Sequence, residues 1–198
     1  MIAVLGDFAR FMAQGISAPR ATVRGVLNGG HGFDVALTMI ALGYLIESVL
    51  VKLLVPDATA GTNPIGFHML NMIGTICGFF IISGLAYWVG GLMGGIATLA
   101  QSQLAVAWFM LMNSVLAPFA VMSLPADFRR PPTDPNIPID LSDANPTVIF
   151  IVVGIAMWLL SSAIAEVHGF KSVWRVAGVI LAIPLTLVFL LNLMMAGA

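Results

Sequence analysis

Charged residues are scarce in this sequence, and their scarcity excludes a soluble protein. Only 9% of the 198 residues are Asp, Glu, Lys or Arg, whereas a soluble domain contains about a quarter. Hydrophobic residues make up 60%, so the chain could not cover a water-facing surface, and we infer an integral membrane protein. The net charge is −1 and no tract mixes basic and aromatic residues, so we expect no nucleic-acid partner.

Cysteine and the common catalytic motifs are nearly absent as well. The single cysteine, Cys77, lies within an apolar run, which excludes an intrachain disulfide framework. The sequence contains no HExxH or CxxC spacing, nucleophile elbow, phosphate-binding loop or pair of intramembrane acids. These absences predict a protein that is not an enzyme and that binds no metal or cofactor.

Long apolar stretches take up most of the chain instead. Each contains roughly 20 residues, which is enough for a helix to cross a bilayer, and their continuous pattern favours helices over alternating strands. We predict an all-α membrane protein, a bundle of five transmembrane helices with a short amphipathic interfacial segment before it. The predicted spans are about 34–54, 65–88, 102–123, 147–166 and 173–195, and the one sizeable loop is 124–146.

The first thirty residues form a distinct segment in this prediction. In IAVLGDFARFMAQ the apolar and polar residues fall on different helical faces, which is typical of a helix lying in the membrane interface. Arg20 and Arg24 follow, four residues apart, and we expect them to contact lipid phosphates together. The predicted domains are therefore an interfacial cytoplasmic segment, 1–30, and a transmembrane domain, 31–198.

The basic residues predict the orientation in the membrane. Five spans place the two termini on opposite sides, and more of the Lys and Arg residues fall on the N-terminal side. The positive-inside rule therefore predicts a cytoplasmic N-terminus and a periplasmic C-terminus. The basic residues on the N-terminal side are Arg10, Arg20, Arg24, Lys171 and Arg175, and those on the other side are Lys52, Arg129 and Arg130.

An acidic residue lies inside the first predicted span. The stretch GYLIESVLVKLL contains Glu47, about 20 Å along the helix from the cytoplasmic start of the span. Lys52 projects about 140° away around the helix, so it cannot pair with this carboxyl group. A carboxyl group at this depth needs a partner, a proton or water, and we favour a hydrogen bond across helices over a protonatable transport site. The candidate partners in other spans are Asn71, Thr75 and Asn113.

A second group of ionisable residues surrounds the predicted connection between the fourth and fifth spans. We take Glu166, His168, Lys171 and Arg175 as a candidate cytoplasmic contact site. No metal-ligand spacing accompanies His168, so we interpret it as a hydrogen-bonding group at the interface.

Small residues recur at four-residue spacing, which lets helix backbones approach each other closely. We interpret these repeats as internal packing, and an oligomer face is the alternative. The repeats are Gly74-x-x-x-Gly78, Gly90-x-x-x-Gly94, Gly91-x-x-x-Gly95 and Ser161-x-x-x-Ala165-x-x-x-Gly169.

Three segments carry a resemblance to a known family. They are SAPRATVRGVL before the first span, the glycine-rich turn YWVGGLMGGIAT followed by AQSQLAVAWF, and WLLSSAIAEVHGFKSVWRVAGVILAI at the last connection. In the order and residue composition of these segments, the chain resembles the Yip1 domain family in its bacterial form. The resemblance implies five membrane helices and a cytoplasmic N-terminus. Eukaryotic members act in membrane trafficking and engage small GTPases, but residues 1–30 offer little surface for a GTPase.

The resemblance and the residues together predict a protein that works by contact. We expect a non-enzymatic, multi-pass protein of a bacterial inner membrane, either a membrane-organising scaffold or an accessory subunit of a larger membrane complex. Its expected partners are membrane lipids and other membrane proteins or a second copy of itself. The alternative is a small proton- or ion-coupled transporter or channel that uses Glu47. No pair of similar halves is visible, which makes an inverted-repeat transporter less favoured.

Overall fold

Seven α-helices make up the regular structure of the residues that the computed structural model describes, namely 2–56, 64–125 and 144–196. The prediction of an all-α membrane protein is confirmed at this level, and most of the predicted loop 124–146 lies outside the described residues. The helices are α1 (Ile2–Ser17), α2 (Pro19–Asn28), α3 (Phe33–Leu54), α4 (Pro64–Leu92), α5 (Leu99–Met122), α6 (Pro146–Val167) and α7 (Val173–Ala196).

Four of these helices, α3 to α6, contain stretches long and apolar enough to cross a membrane. They coincide with the first four predicted spans. The fifth predicted span falls on α7, where the apolar helical stretch found among the described residues, Val173–Ile183, is shorter than a span. A fifth crossing therefore stays a prediction.

The core of the bundle lies around α5. This helix contacts α3, α4 and α6, and 56% of its apolar stretch is buried, compared with 11% in α3 and 17% in α4. Trp108 and Met112 of α5 are fully buried. Helices α3 and α4 therefore turn most of their side chains away from the bundle, toward lipid or toward partners.

The starts of α5 and α6 follow directly from their sequences. At the start of α5, the N–H of Gln101 donates to the Thr98 hydroxyl, and the N–H of Thr98 donates to the Gln101 side chain, which forms a capping box. At the start of α6, the Asn145 side chain accepts from the N–H of Val148. Each cap satisfies backbone groups that the first helical turn leaves unpaired.

The small-residue repeats divide into packed and open positions. Ser161 and Ala165 of α6 are fully buried, as expected for internal packing. Gly74 and Gly78 of α4 face open space instead, because a β-carbon on either glycine would meet no neighbouring atom within 4 Å. Internal packing thus accounts for the α6 repeat but not for this α4 repeat.

The N-terminal helices pack onto the bundle. Helix α2 contacts α6 and α5, and its Val23 is completely buried. In α1, Gly15 lies so close to Met112 of α5 that a β-carbon there would overlap the sulfur atom. The polar residues Asp7 and Arg10 stay exposed on the opposite face of α1. Among the residues whose burial is described, α1 and α2 therefore supply an apolar face that joins the bundle core.

Candidate contact site at the basic end of the bundle

Helix α4 ends in a glycine-rich turn with a regular hydrogen-bond pattern. The N–H of Gly95 donates to the carbonyl of Gly90 at 2.8 Å, and the N–H of Gly94 donates to the carbonyl of Gly91 at 3.0 Å. Gly94 has a φ of 84°, which residues with a β-carbon rarely adopt. This is a Schellman motif, and it explains why α4 continues four residues beyond the predicted end at 88.

Helix α6 ends with the same motif. The N–H of Phe170 donates to the carbonyl of Ala165 at 2.8 Å, and the N–H of Gly169 donates to the carbonyl of Glu166 at 3.2 Å. Gly169 has a φ of 74°. The chain thereby turns sharply after α6, and His168 occupies the last position before the turn.

The two helix ends interlock through the ring of His168. A β-carbon on Gly90 or on Gly95 would overlap this ring, so the glycines leave the space that it fills. The ring also stacks on Phe170, with centroids 5.5 Å apart and an angle of 10° between the planes. Only 3% of His168 is exposed, which places it inside the site rather than on a surface available to partners.

The buried position of His168 affects its protonation. Neither ring nitrogen makes a hydrogen bond of good geometry with the described residues, although the backbone of Ala86 interacts with the ring. Burial lowers the pKa of His168 below its ordinary value, and the neighbouring backbone of Ala86 opposes that shift only in part. The lowered pKa favours the neutral imidazole, which acts here as a space-filling ring.

A carboxylate at the end of α6 holds two arginines of α2. The Nε of Arg20 donates to Oε2 of Glu166 at 2.8 Å, and the Nε of Arg24 donates to Oε1 at 2.6 Å. The Glu166 side chain is 9% exposed, whereas those of Arg20 and Arg24 are 33% and 60% exposed. The hydrogen bond to Glu166 and the charge of its carboxylate raise the pKa of Arg24. Because the arginines are one helical turn apart, one carboxylate binds both of them.

The arginine pair also reaches the turn that follows α6. The Nη1 of Arg20 donates to the backbone carbonyl of Lys171 at 3.3 Å. Arg175 is exposed at the start of α7, where its N–H donates to the Ser172 hydroxyl at 3.3 Å. The structure thus joins the predicted headgroup arginines to two of the predicted contact residues, Glu166 and Lys171, in one basic site, and Arg175 lies outside these contacts.

The residues predicted around Glu47 are not brought into hydrogen-bonding contact. Within the described part of the chain, no hydrogen bond or ion pair joins the half-buried Glu47 to Asn71, to Asn113 or to any other residue. The polar contact between α3 and α4 is made by Tyr44, whose hydroxyl donates to the carbonyl of His68 at 2.9 Å. Sequence reasoning missed this pair, although Tyr44 lies one turn before Glu47.

Metal binding finds no support in the described ranges. They contain no group of three or more His, Cys, Asp and Glu side chains that could hold a metal ion. The polar chemistry at the basic end is that of ion pairs, helix ends and a buried neutral ring.

The chain matches the model of a known protein family. A family model of the Yip1 domain matches residues 16–194, nearly the whole chain. The chain belongs to the Yip1 domain family. No curated protein and no solved structure matches it significantly. Yip1 family members are membrane proteins that are not known as enzymes. The matched region contains Arg20, Arg24, Glu166 and both glycine-containing helix ends, so the basic site belongs to the Yip1 domain itself.

Proposed function

We propose that this Yip1 family protein works by contact, as a membrane-organising scaffold or as an accessory subunit of a larger membrane complex in a bacterial inner membrane. One observation supports this role most directly, the binding of both Arg20 and Arg24 by Glu166. The carboxylate holds the N-terminal helices against the end of the bundle, so α1, α2 and the two helix-end turns form one fixed surface.

The charge distribution supports a cytoplasmic position for this surface. Arg20, Arg24 and Lys171 lie together at one end of the bundle, and the positive-inside rule assigns such an end to the cytoplasm. The C-terminus then lies in the periplasm if α7 crosses the membrane. Anionic headgroups of the cytoplasmic leaflet are the first partners that this surface would meet.

The outward faces of α3 and α4 are the second surface that we propose for contact with other proteins. Large apolar side chains such as Leu53, Leu70 and Ile81 are more than half exposed, and the open Gly74 and Gly78 lie on α4. Small residues on an exposed helix face let another transmembrane helix approach closely. We assign this face to a helix of a partner protein or of a second copy.

Photo-crosslinking in the native membrane tests the proposal. A photoreactive residue at Ile81, which is 62% exposed, is expected to give one discrete protein adduct. The same residue at Phe79, which is fully buried, serves as the matched control and is expected to give no intermolecular adduct. If Ile81 and further exposed α4 positions give only lipid adducts, α4 is not a protein contact face.

A small proton- or ion-coupled transporter is the second candidate, and one observation favours it. Glu47 lies inside α3 without a bonded partner among the described residues, and intramembrane acids of this kind commonly serve transport. A transporter would show a flux that Glu47→Gln abolishes while the fold stays intact. A contact protein shows no such flux.

A further inference from the structure

A groove of about 660 Å³ opens beside the Glu166 ion pairs and has two chemically different ends. The first two turns of α2, with Arg20 and Arg24, form one wall together with Lys171. Trp158 of α6 lines the other part of the groove. A single ligand in this groove would therefore contact cationic groups and an aromatic ring at the same time.

The cationic end carries more positive charge than Glu166 neutralises. Arg20, Arg24 and Lys171 supply three positive charges, and Glu166 supplies one negative charge. Glu166 accepts from only the Nε of each arginine, and a guanidinium has five N–H donors, so donors remain available on both arginines. An anion with several acceptor oxygens, above all a phosphate, matches this set.

The first turn of α2 adds backbone donors to the same end. Pro19 occupies the first turn, and the preceding Ala18 provides no side-chain cap, so the first-turn N–H groups find no side chain there to accept from them. The N-terminal end of a helix also carries a partial positive charge that favours anions. The N-terminal end of α2 therefore adds to the anion binding of the three cationic side chains, which remain the main contacts.

The aromatic end indicates that the anion belongs to a lipid. Trp158 precedes Glu166 by eight residues, which places it about 12 Å further along α6, toward the apolar part of the bundle. It lies 6.1 Å from Trp174 of α7 between ring centroids. Tryptophan is enriched at the depth where headgroups meet acyl chains. A free phosphate would use only the cationic end of the groove.

We propose that this groove binds one anionic phospholipid, with its phosphodiester against Arg20, Arg24 and Lys171 and its proximal acyl chain beside Trp158. The assignment rests on the interfacial position of the basic end, which is part of the proposed function. It does not depend on whether the protein is a scaffold or an accessory subunit. Phosphatidylglycerol has the required chemistry, because it combines a singly charged phosphodiester with acyl chains.

Lipid binding to the full-length protein in mild detergent tests the proposal. Native mass spectrometry would measure the binding of phosphatidylglycerol, of phosphatidylcholine with identical chains, and of inorganic phosphate. Phosphatidylglycerol is expected to bind as a single molecule and at least about fivefold more tightly than phosphatidylcholine. Equal binding of the two lipids would overturn the proposal.

A matched pair of charge variants separates the groove from diffuse attraction. Lys171 lines the groove, whereas the exposed Arg175 at the same end of the bundle is not part of the lining. Lys171→Gln is expected to weaken phosphatidylglycerol binding about fivefold, the contribution of one basic residue near a headgroup, and Arg175→Gln to leave it unchanged. Equal losses in both variants would show general electrostatic attraction and overturn the proposal.

Two further measurements separate a lipid site from a free-anion site. Trp158→Leu is expected to weaken phosphatidylglycerol binding while thermal stability in detergent stays close to that of the wild type. Inorganic phosphate at millimolar concentration is expected to leave the bound lipid in place. If inorganic phosphate displaces the lipid and Trp158→Leu has no effect, the groove is a site for free anions. The crosslinking of a partner at Ile81 does not depend on lipid binding. The proposed protein contact and the proposed lipid site can therefore each be overturned without the other.

Discussion

The Nε of Arg24 lies 2.6 Å from Oε1 of Glu166, across 142 positions of the chain. This bond joins a helix near the N-terminus to the end of α6, at the point where the chain turns toward α7. It gives the charged residues at this end of the bundle a common structural role, because the same carboxylate also binds Arg20. The basic surface is consequently built from two distant segments, and loss of either segment removes it.

Removal of the Glu166 charge is expected to loosen α2. In Glu166→Gln both arginines lose their ionic partner, so limited proteolysis should cut the N-terminal helices several-fold faster, and the midpoint of thermal unfolding in detergent should fall by a few degrees. Arg10→Gln is the control, because Arg10 pairs with Asp7 at 3.7 Å on a surface where both side chains are at least 77% exposed. Equal cleavage rates in wild type and Glu166→Gln would show that α2 is held by its apolar face alone.

The glycine turn provides a steric test of the interlocked helix ends. Gly90→Ala adds a β-carbon that overlaps the His168 ring, and we expect it to destabilise the fold by about 1–3 kcal/mol. Gly91→Ala, at the next position of α4, meets no atom within 4 Å and is expected to be neutral or slightly stabilising. The midpoint of thermal unfolding in detergent measures the change in stability of each variant.

A second substitution checks that His168 is the cause. If the ring is the obstacle, His168→Ala in the Gly90→Ala background should be less destabilising than the sum of the two single changes. Strict additivity of the two substitutions would place the strain of Gly90→Ala elsewhere.

Acidification is expected to destabilise the protein through His168. Burial lowers the pKa of His168 in the folded state below its unfolded value of about 6.5. At a pH between these two pKa values the unfolded chain therefore binds more protons than the folded chain. The stabilisation from the neutral ring is thus complete above about pH 6.5 and declines as the pH falls toward the folded pKa. Unfolding midpoints between pH 5 and 8 should show this slope in the wild type and a weaker slope in His168→Phe. The exposed His31→Gln is the control and should keep the slope of the wild type.

Glu47→Gln distinguishes the two candidate functions. For a contact protein we expect no protein-dependent proton flux in reconstituted liposomes, either in wild type or in the variant. An effect on stability or assembly is compatible with a structural carboxyl group. A flux that the wild type supports and Glu47→Gln abolishes, with an unchanged unfolding midpoint, would establish the transporter.

The sequence was a good guide to helices and a weaker guide to what their polar residues contact. Continuous apolar stretches predict α3 to α6 because length and hydropathy alone decide whether a helix can span a bilayer. The extension of α4 through Gly90 and Gly91 was missed, because glycines normally predict a turn and only the hydrogen bonds of Gly94 and Gly95 show where the helix ends. The local sequence pattern does not show at which glycine the helix ends.

The partners of the arginines depended on tertiary structure in the same way. Helical spacing correctly places Arg20 and Arg24 on one face, but their partner Glu166 comes from a distant helix end. The opposite charges of these residues and their predicted position on the same side of the membrane were visible signals, and they would have suggested the pairing. The burial of His168 gave no such signal, since it depends on the space left by Gly90 and Gly95.

The mass and composition of the particle extracted from its own membrane in mild detergent test the contact role most directly. For a contact protein we expect a stoichiometric complex, with either a second membrane protein or a second copy of the chain, and partial loss of that complex in Glu166→Gln. A particle that contains a single copy of this chain and no other protein, and that supports a Glu47-dependent flux after reconstitution, would contradict it.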